Sequence, residues 1–321
     1  MTKLISLVAA IVLAACAGGA PAQGYPNHPI RIIQGFAPGG NADVIARIIG
    51  QEIAKGLGQP VLVEAKPGAG GIIASDFVAK AAPDGYTLLL VTGGHAVSGA
   101  TYATLPFDPV KSFDMISTIT FVQFVIVVRG DSRLQSIPAL LALAKATPES
   151  VSYGSAGVGS TQHLAGELLA YMSHVKLMHV PYKGDALAIT GLLGGETQSV
   201  IAPATALLAQ LKAGKLRALA VTGRTRMPSM PDIPTVDESG VAGFEVRPYL
   251  GLAAPAGTPR TIVERLHVEV QRALQVPEVR ARLEEIGGEV KGSTPDEMRN
   301  LIAADLERWV KVIKAGNIPR Q

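Results

Sequence analysis

One pattern limits what this chain can fold into more than any other, and it runs twice: a short β-branched stretch, a glycine-rich turn, then apolar residues at helical spacing. The first run opens on Ile30 to Gln34 and turns through Gly35-Phe36-Ala37-Pro38-Gly39-Gly40. Val44, Ile45, Ile48, Ile49, Ile53 and Leu57 then share one helix face until Gly56 and Gly58 stop it. A strand over 61–63, a turn over 66–71, a helix to about residue 81, the turn Pro83-Asp84-Gly85 and a strand over 86–91 follow. The pattern restarts at Val151, with strands predicted over 151–153, 177–180, 199–202 and 216–222 and helices over 160–172, 186–193 and 204–212. Strands alternating with helices of about 10 to 15 residues predict parallel sheets covered on both faces. The fold class is therefore α/β, with two doubly wound domains.

Two extended apolar stretches, 121–128 and 244–253, lie between and after the runs, and two such crossings make a two-strand hinge. The segment from Thr258 to about Ala315 reads as helical, broken at Pro277, Gly287-Gly288 and Pro295, with Ile262, Leu266, Val270 and Leu274 at core-facing spacing. Returned to the first half, it gives one domain over 24–123 plus 248–321 and another over 124–247. Two cores also suit 321 residues, which exceed the roughly 100 to 200 of a single domain. With 29 basic residues spread among 26 acidic ones there is no basic stripe, so nucleic acid is set aside as a partner.

Residues 1–22 carry a single charge, Lys3, before an apolar run over 4–15 and a small-residue end at Ala20-Pro21-Ala22. This is the layout of a secretory signal peptide, and its apolar run falls short of the roughly 20 residues a membrane span needs. Leu13-Ala14-Ala15-Cys16 offers a second outcome, a lipid anchor on Cys16, the one cysteine of the chain. Either route leads out of the cytoplasm and leaves no disulfide.

In open α/β sheets, ligands bind beyond the carboxyl ends of strands, where glycine turns and helix N-termini present unpaired N–H donors. Two turns qualify. In the first, over 35–43, Asn41 is the expected N-cap and Asp43 is expected to hold the loop rather than touch a ligand. In the second, over 154–161, Ser160 or Thr161 caps the next helix. Facing one another from two domains, they suit the two ends of a small dicarboxylate. Phe36, Tyr182 and Tyr249 are placed to cover an apolar ligand body, and Trp309 reads as core.

Catalysis finds less support. Ser155 and Ser160 lack a G-x-S-x-G elbow, although His163 follows Ser160 by three residues, so a hydrolase using Ser160 and His163 stands as the alternative. His95, His163, His174 and His179 show no H-x-x-x-H spacing, and neither a Walker A loop nor G-x-G-x-x-G is present, so no metal or nucleotide cofactor is expected.

Eight segments taken in order are similar to one family. They begin with Phe36-Ala37-Pro38-Gly39-Gly40 with Asp43, Pro67-Gly68-Ala69-Gly70-Gly71, Pro83-Asp84-Gly85-Tyr86-Thr87, and Gly157-Val158-Gly159-Ser160 with His163-Leu164-Ala165-Gly166-Glu167. They continue with His179-Val180-Pro181-Tyr182-Lys183-Gly184, 212–220, Pro231-Asp232-Ile233-Pro234-Thr235 and Ala254-Pro255-Ala256-Gly257-Thr258-Pro259. The chain resembles the Bug family of periplasmic solute-binding proteins, the receptor component of tripartite tricarboxylate transporters.

That resemblance implies a periplasmic-binding-protein (Venus flytrap) architecture and a non-catalytic, monomeric receptor. It would close on a small organic carboxylate, a di- or tricarboxylate or an aromatic carboxylate, partly through ordered water. The implied partners are the membrane subunits of a transporter, with a sensor kinase as the alternative. Carried over by position, the resemblance nominates Phe36, Ala37, Gly40, Asn41, Ser155, Gly159, Ser160, Thr161 and His163, and further Thr92, His95 and Ala204. Two departures bear on the ligand. Ala202-Pro203-Ala204 lacks the Asp or Asn that family members often carry there, which argues against an amino acid. Gly93-Gly94 replaces bulkier polar residues and is expected to enlarge the pocket.

Overall fold

The computed structural model describes residues 24–315 together with 318 and 320, so the expected leader and Cys16 lie outside the described residues. The strand–turn–helix grammar of the sequence resolves into two sheets. The first half begins with β1 (Ile30–Gln34), α1 (Asn41–Leu57), β2 (Val61–Ala65), a single 3₁₀ turn (Ala69–Gly71), α2 (Ile72–Ala79), β3 (Thr87–Thr92) and α3 (Gly93–Thr101). The chain then runs along β4 (Phe113–Val122) and crosses directly into β5 (Phe124–Arg129) of the other sheet.

There it builds α4 (Ile137–Ala146), β6 (Ser152–Ser155), α5 (Thr161–Met172), β7 (Met178–Pro181), α6 (Asp185–Gly194), β8 (Ser199–Pro203), α7 (Ala204–Lys212) and β9 (Leu216–Val221). It returns through β10 (Tyr249–Pro255), α8 (Arg260–Gln275), α9 (Pro277–Glu285), β11 (Gly288–Val290) and α10 (Pro295–Ala315).

Strand order is β11-β4-β10-β3-β1-β2 in one sheet and β7-β6-β8-β5-β9 in the other. The βαβ units pair in parallel as the alternation requires, Ile30 opposite Val61 and Tyr153 opposite Ser199. Neither sheet is wholly parallel, however, which corrects the sequence expectation. Strand β10 runs antiparallel to both β3 and β4, and β5 antiparallel to both β8 and β9, because strands that arrive by crossing between sheets are free of the βαβ constraint.

Residues 121–128, expected as one extended stretch, divide at Gln123 between β4 and β5, and the second stretch becomes a strand only from Tyr249. The two crossings run side by side. Val122 N–H donates to the Pro248 carbonyl at 2.8 Å, and Thr222 Oγ1 accepts from Phe124 N and donates to the Val246 carbonyl.

The apolar stripe of α1 does what its period demands: Ile45, Ile48, Ile49 and Ile53 are buried with Ile30 and Ile32 of β1 and with Leu266 and Val270 of α8. The C-terminal segment also touches the second half. Met298 and Ile302 of α10 pack into the first half, whereas Trp309, 1% exposed, and Ile313 join a cluster with Tyr153, Leu164 and Phe244 of the second. A helix of 21 residues is about 30 Å long, enough to reach across both.

Candidate ligand-binding site

Between the two halves lies a cavity of about 70 Å³, several times the roughly 10–15 Å³ that one water needs. Its floor is formed by the two crossings, Val122 and Phe124 on one and Pro248, Tyr249 and Leu250 on the other. Its walls are the first residues of five helices. Gly40, Asn41 and Ala42 open α1, and Thr92, Gly93 and Gly94 open α3; Thr161 and Gln162 open α5, Gly184, Asp185 and Ala186 open α6, and Pro203 precedes α7.

Each of these helices starts at the carboxyl end of a strand, so the βαβ grammar itself aims five positive dipole ends at one space. Four of the five, α1, α3, α6 and α7, have no side-chain cap. Only α5 is capped, by Ser160 Oγ accepting from His163 N at 3.2 Å.

The loop ahead of α1 is held from outside the cavity. Asp43, 4% exposed, accepts from Gly39 N at 3.1 Å and Arg47 Nε at 2.9 Å, while Gln34 Oε1 accepts from Phe36 N at 2.8 Å. Burial pushes the Asp43 carboxyl up, but the hydrogen bonds from Arg47 and Gly39 outweigh it and hold the group below the usual carboxylate range. The expected N-cap, Asn41, is instead the first helical residue after Gly40. Its Oδ1 accepts from Thr205 Oγ1 at 3.1 Å, a bond that spans the two halves.

Elsewhere the halves meet backbone to backbone: a Cβ placed on Gly70 would lie 2.8 Å from the carbonyl carbon of Gly159. Gly93 serves the same close approach. A Cβ there would come within 2.9 Å of Pro248 Cβ and 3.0 Å of Thr161 Oγ1, so glycine permits this close approach, and both Gly93 and Gly94 line the cavity.

Of the residues nominated from sequence, the structure brings Phe36, Ala37, Gly40, Asn41, Thr92 and Thr161 to the cavity. It places His95, Ser155, Gly159, Ser160, His163 and Ala204 outside the lining, and their partners explain why. His95 is buried against Phe107 and Phe113. Its Nε2 donates to the Pro109 carbonyl at 2.8 Å and its Nδ1 accepts from Ser75 Oγ at 3.0 Å, and burial lowers its pKa to about 4. Ser155 Oγ bonds His179 Nε2 at 2.7 Å. Gly159 faces Tyr102, and Ala204 packs with Leu207, Val221 and Met227.

Ser160, fully buried, donates to the Gly157 carbonyl at 2.7 Å and bonds the backbone, not the imidazole, of His163. His163 Nδ1 accepts from Gly159 N at 3.4 Å, and the ring stacks on His179 with centroids 4.1 Å apart. Burial lowers the two imidazoles to about 4 and about 3, and His163 lowers His179 further. Tyr182, expected over the ligand, turns away to donate to Glu196 Oε2 at 2.8 Å.

Sequence reasoning missed Gln162, Asp185 and the Pro248 side of the floor. Gln162 Nε2 donates to Asp185 Oδ1 at 2.9 Å, and burial pushes the Asp185 carboxyl up to about 6 against the pull of that bond. The signal was present: Asp185 follows Gly184 after a strand, the same grammar that marked the loops ahead of α1 and α5. Among the described residues, no cluster of His, Cys, Asp or Glu is placed to hold a metal ion, and no helix is long and apolar enough to cross a membrane.

The model of the tripartite tricarboxylate transporter family receptor, TctC, matches residues 45–318. The chain belongs to this family. BugT of Bordetella pertussis is a relative of this TctC-family receptor, 35% identical over 317 residues, 98% of this chain and 97% of its own. Two solved structures share the fold. An R. palustris protein with adipate superposes with a TM-score of 0.88 at 34% identity, covering 92% of this chain and all of its own. MatC from Rhodopseudomonas palustris with bound malate gives 0.86 at 32%, covering 90% and 100%. The receptor is thus a two-domain solute-binding protein of the Bug type.

Proposed function

We propose that this receptor captures a small organic carboxylate in the cavity between its halves and delivers it, closed, to the membrane subunits of a tripartite tricarboxylate transporter. One observation carries the reading: five helix N-termini, four without side-chain caps, point into a cavity whose lining, among the described residues, has no Lys, Arg or His. Such a space binds an anion through backbone N–H groups and helix dipoles, by charge-assisted hydrogen bonds that are roughly twice as strong as neutral ones. The adipate and malate bound by two relatives are carboxylates of this kind.

In this reading residues 24–123 with 248–321 form one domain and 124–247 the other, joined by the paired crossings at Val122 to Phe124 and Val246 to Tyr249. Phe36, Ala37, Gly40, Asn41, Thr92 and Thr161 meet the ligand, while Ser155, Ser160 and His163 shape the second loop from behind. The receptor acts as a monomer without catalysis, exported by residues 1–22. Ligand binding shifts an open–closed equilibrium that the membrane partner reads.

A thermal-shift screen of the mature protein tests this against organic acids, amino acids, sugars and nucleotides. An acid at about 100 times its dissociation constant should stabilise the fold by about 2.7 kcal/mol. Stabilisation by sugars or nucleotides with none by any carboxylate would overturn the reading.

A further inference from the structure

Among the described residues, the cavity carries one charged side chain in its lining, Asp185, and its sign is wrong for a bare polyanion. Gln162 and Asp185 line the wall as a hydrogen-bonded pair, with Gln162 Nε2 donating to Asp185 Oδ1 at 2.9 Å. Among the described residues, neither the other carboxylate oxygen, Oδ2, nor the Gln162 amide oxygen makes a hydrogen bond within the chain. Both acceptors therefore face the cavity with no donor supplied by the described residues, and Asp185 is only partly buried, so water meets them until a donor on a ligand takes its place.

A ligand carboxylate brought against them would add a second negative charge, which disfavours the ionised pair. A ligand hydroxyl or ammonium would satisfy both acceptors and turn the Asp185 charge from a penalty into a contact. The inference rests on the carboxylate reading above. We propose that Asp185, held by Gln162, is the specificity-determining residue of this cavity, taking a hydrogen-bond donor on the ligand. The preferred solute is then a hydroxy- or amino-substituted acid rather than its unsubstituted parent. The acidic partner that Ala202-Pro203-Ala204 lacks is supplied instead by the start of α6.

Isothermal titration of the mature protein against matched triplets tests this. Suitable sets are propionate, lactate and alanine; succinate, malate and aspartate; and glutarate, 2-hydroxyglutarate and glutamate. Within the set that binds, the substituted acid should bind at least tenfold more tightly than its parent, and the second and third members separate a hydroxyl from an ammonium. Asp185→Asn should cut that ratio to threefold or less while the parent binds as tightly as before or more so.

A second measurement uses the unaltered protein: the preference should shrink from pH 8 to pH 5.5, as protonation removes the Asp185 charge. Other titratable groups on packed elements, among them Asp43 on α1, His163 and Glu167 on α5, His179 on β7 and the exposed Lys183, lie outside the lining. Asp43 is tied to Arg47 and His163 is stacked on His179. A parent acid that binds as tightly as its substituted forms, or a ratio unchanged in Asp185→Asn, overturns the proposal. So does tightest binding of the parent with buffer-dependent proton uptake, which would make Asp185 a protonated donor to a second carboxylate. If no carboxylate binds at all, the carboxylate reading itself falls and this inference with it.

Discussion

Gly93→Ala separates closure of the receptor from its folding. The residue opens α3 in ordinary helical conformation, so a methyl group brings no backbone strain, and replacing Gly in a helix favours the fold by up to about 1 kcal/mol. In the structure, though, the new Cβ would stand 2.9 Å from Pro248 Cβ and 3.0 Å from Thr161 Oγ1. Carbon atoms prefer about 3.5–4.0 Å, so the rigid proline ring has to move by roughly 0.6–1.1 Å. Thr161 belongs to the other half, so opening relieves that side of the crowding and closing restores it. Overpacking of this kind costs about 1–3 kcal/mol. Charged against the closed state, that raises Kd by roughly 5- to 150-fold. The assay is titration with whichever acid stabilises the protein, paired with thermal unfolding of the ligand-free form. The expected result is a loss of affinity larger than any loss of ligand-free stability, since the Pro248 contact lies within one half and persists on opening while the Thr161 contact does not. Affinity within twofold of the unaltered protein would refute the packing argument, and a fall in ligand-free Tm with affinity retained would place the clash in the folded core instead.

The stacked pair His163 and His179 should make stability fall in acid. Both are depressed below the ordinary 6.5, so their contribution is fully present above pH 6.5 and is lost as pH falls toward about 4. His163 alone accounts for about 3 kcal/mol by pH 4. Glu167, raised by burial, and Asp185, raised to about 6, act in the opposite sense, so the term is isolated by difference. Urea unfolding from pH 7.5 to 4.5 should show a shallower fall in His163→Gln, and an identical slope would count against the assignment. Asp43→Ala deprives Gly39 N, Arg47 and the buried Gln34 of their acceptor. It should lower stability by about 1–3 kcal/mol and weaken ligand binding through the loosened loop. A variant with unaltered unfolding and affinity would show that the loop stands without it.

What the sequence disclosed follows from where the determining interactions lie. The alternation of β-branched runs with helical apolar stripes is local, and it was enough to place β1, α1, β6 and α5 and the glycine loops between them. Strand β4 was illegible over most of its length because its buried residues include Ser117, Thr118 and Thr120. Their hydroxyls are satisfied by the carbonyls of Thr118, Lys291 and Glu289, and the two long-range partners lie about 170 residues away, beyond any local period. Helix α3 was hidden by Gly93-Gly94, which reads as a turn until Pro248 and Thr161 are seen crowding it.

The site divides along the same line. Phe36, Gly40 and Thr161 stand where a local turn delivers them, whereas His95, Ser155 and His163 are polar residues beside the right loops whose bonds are already spent on Pro109, His179 and Gly159. Asp185 is the reverse case: an acid whose meaning changes only when Gln162, from another helix, is found beside it in a space without a cation. Charge complementarity across five helix starts is a property of their convergence. Periodicity can announce each helix start, but only the packing of two sheets around paired crossings determines which side chain stands among them and of what sign.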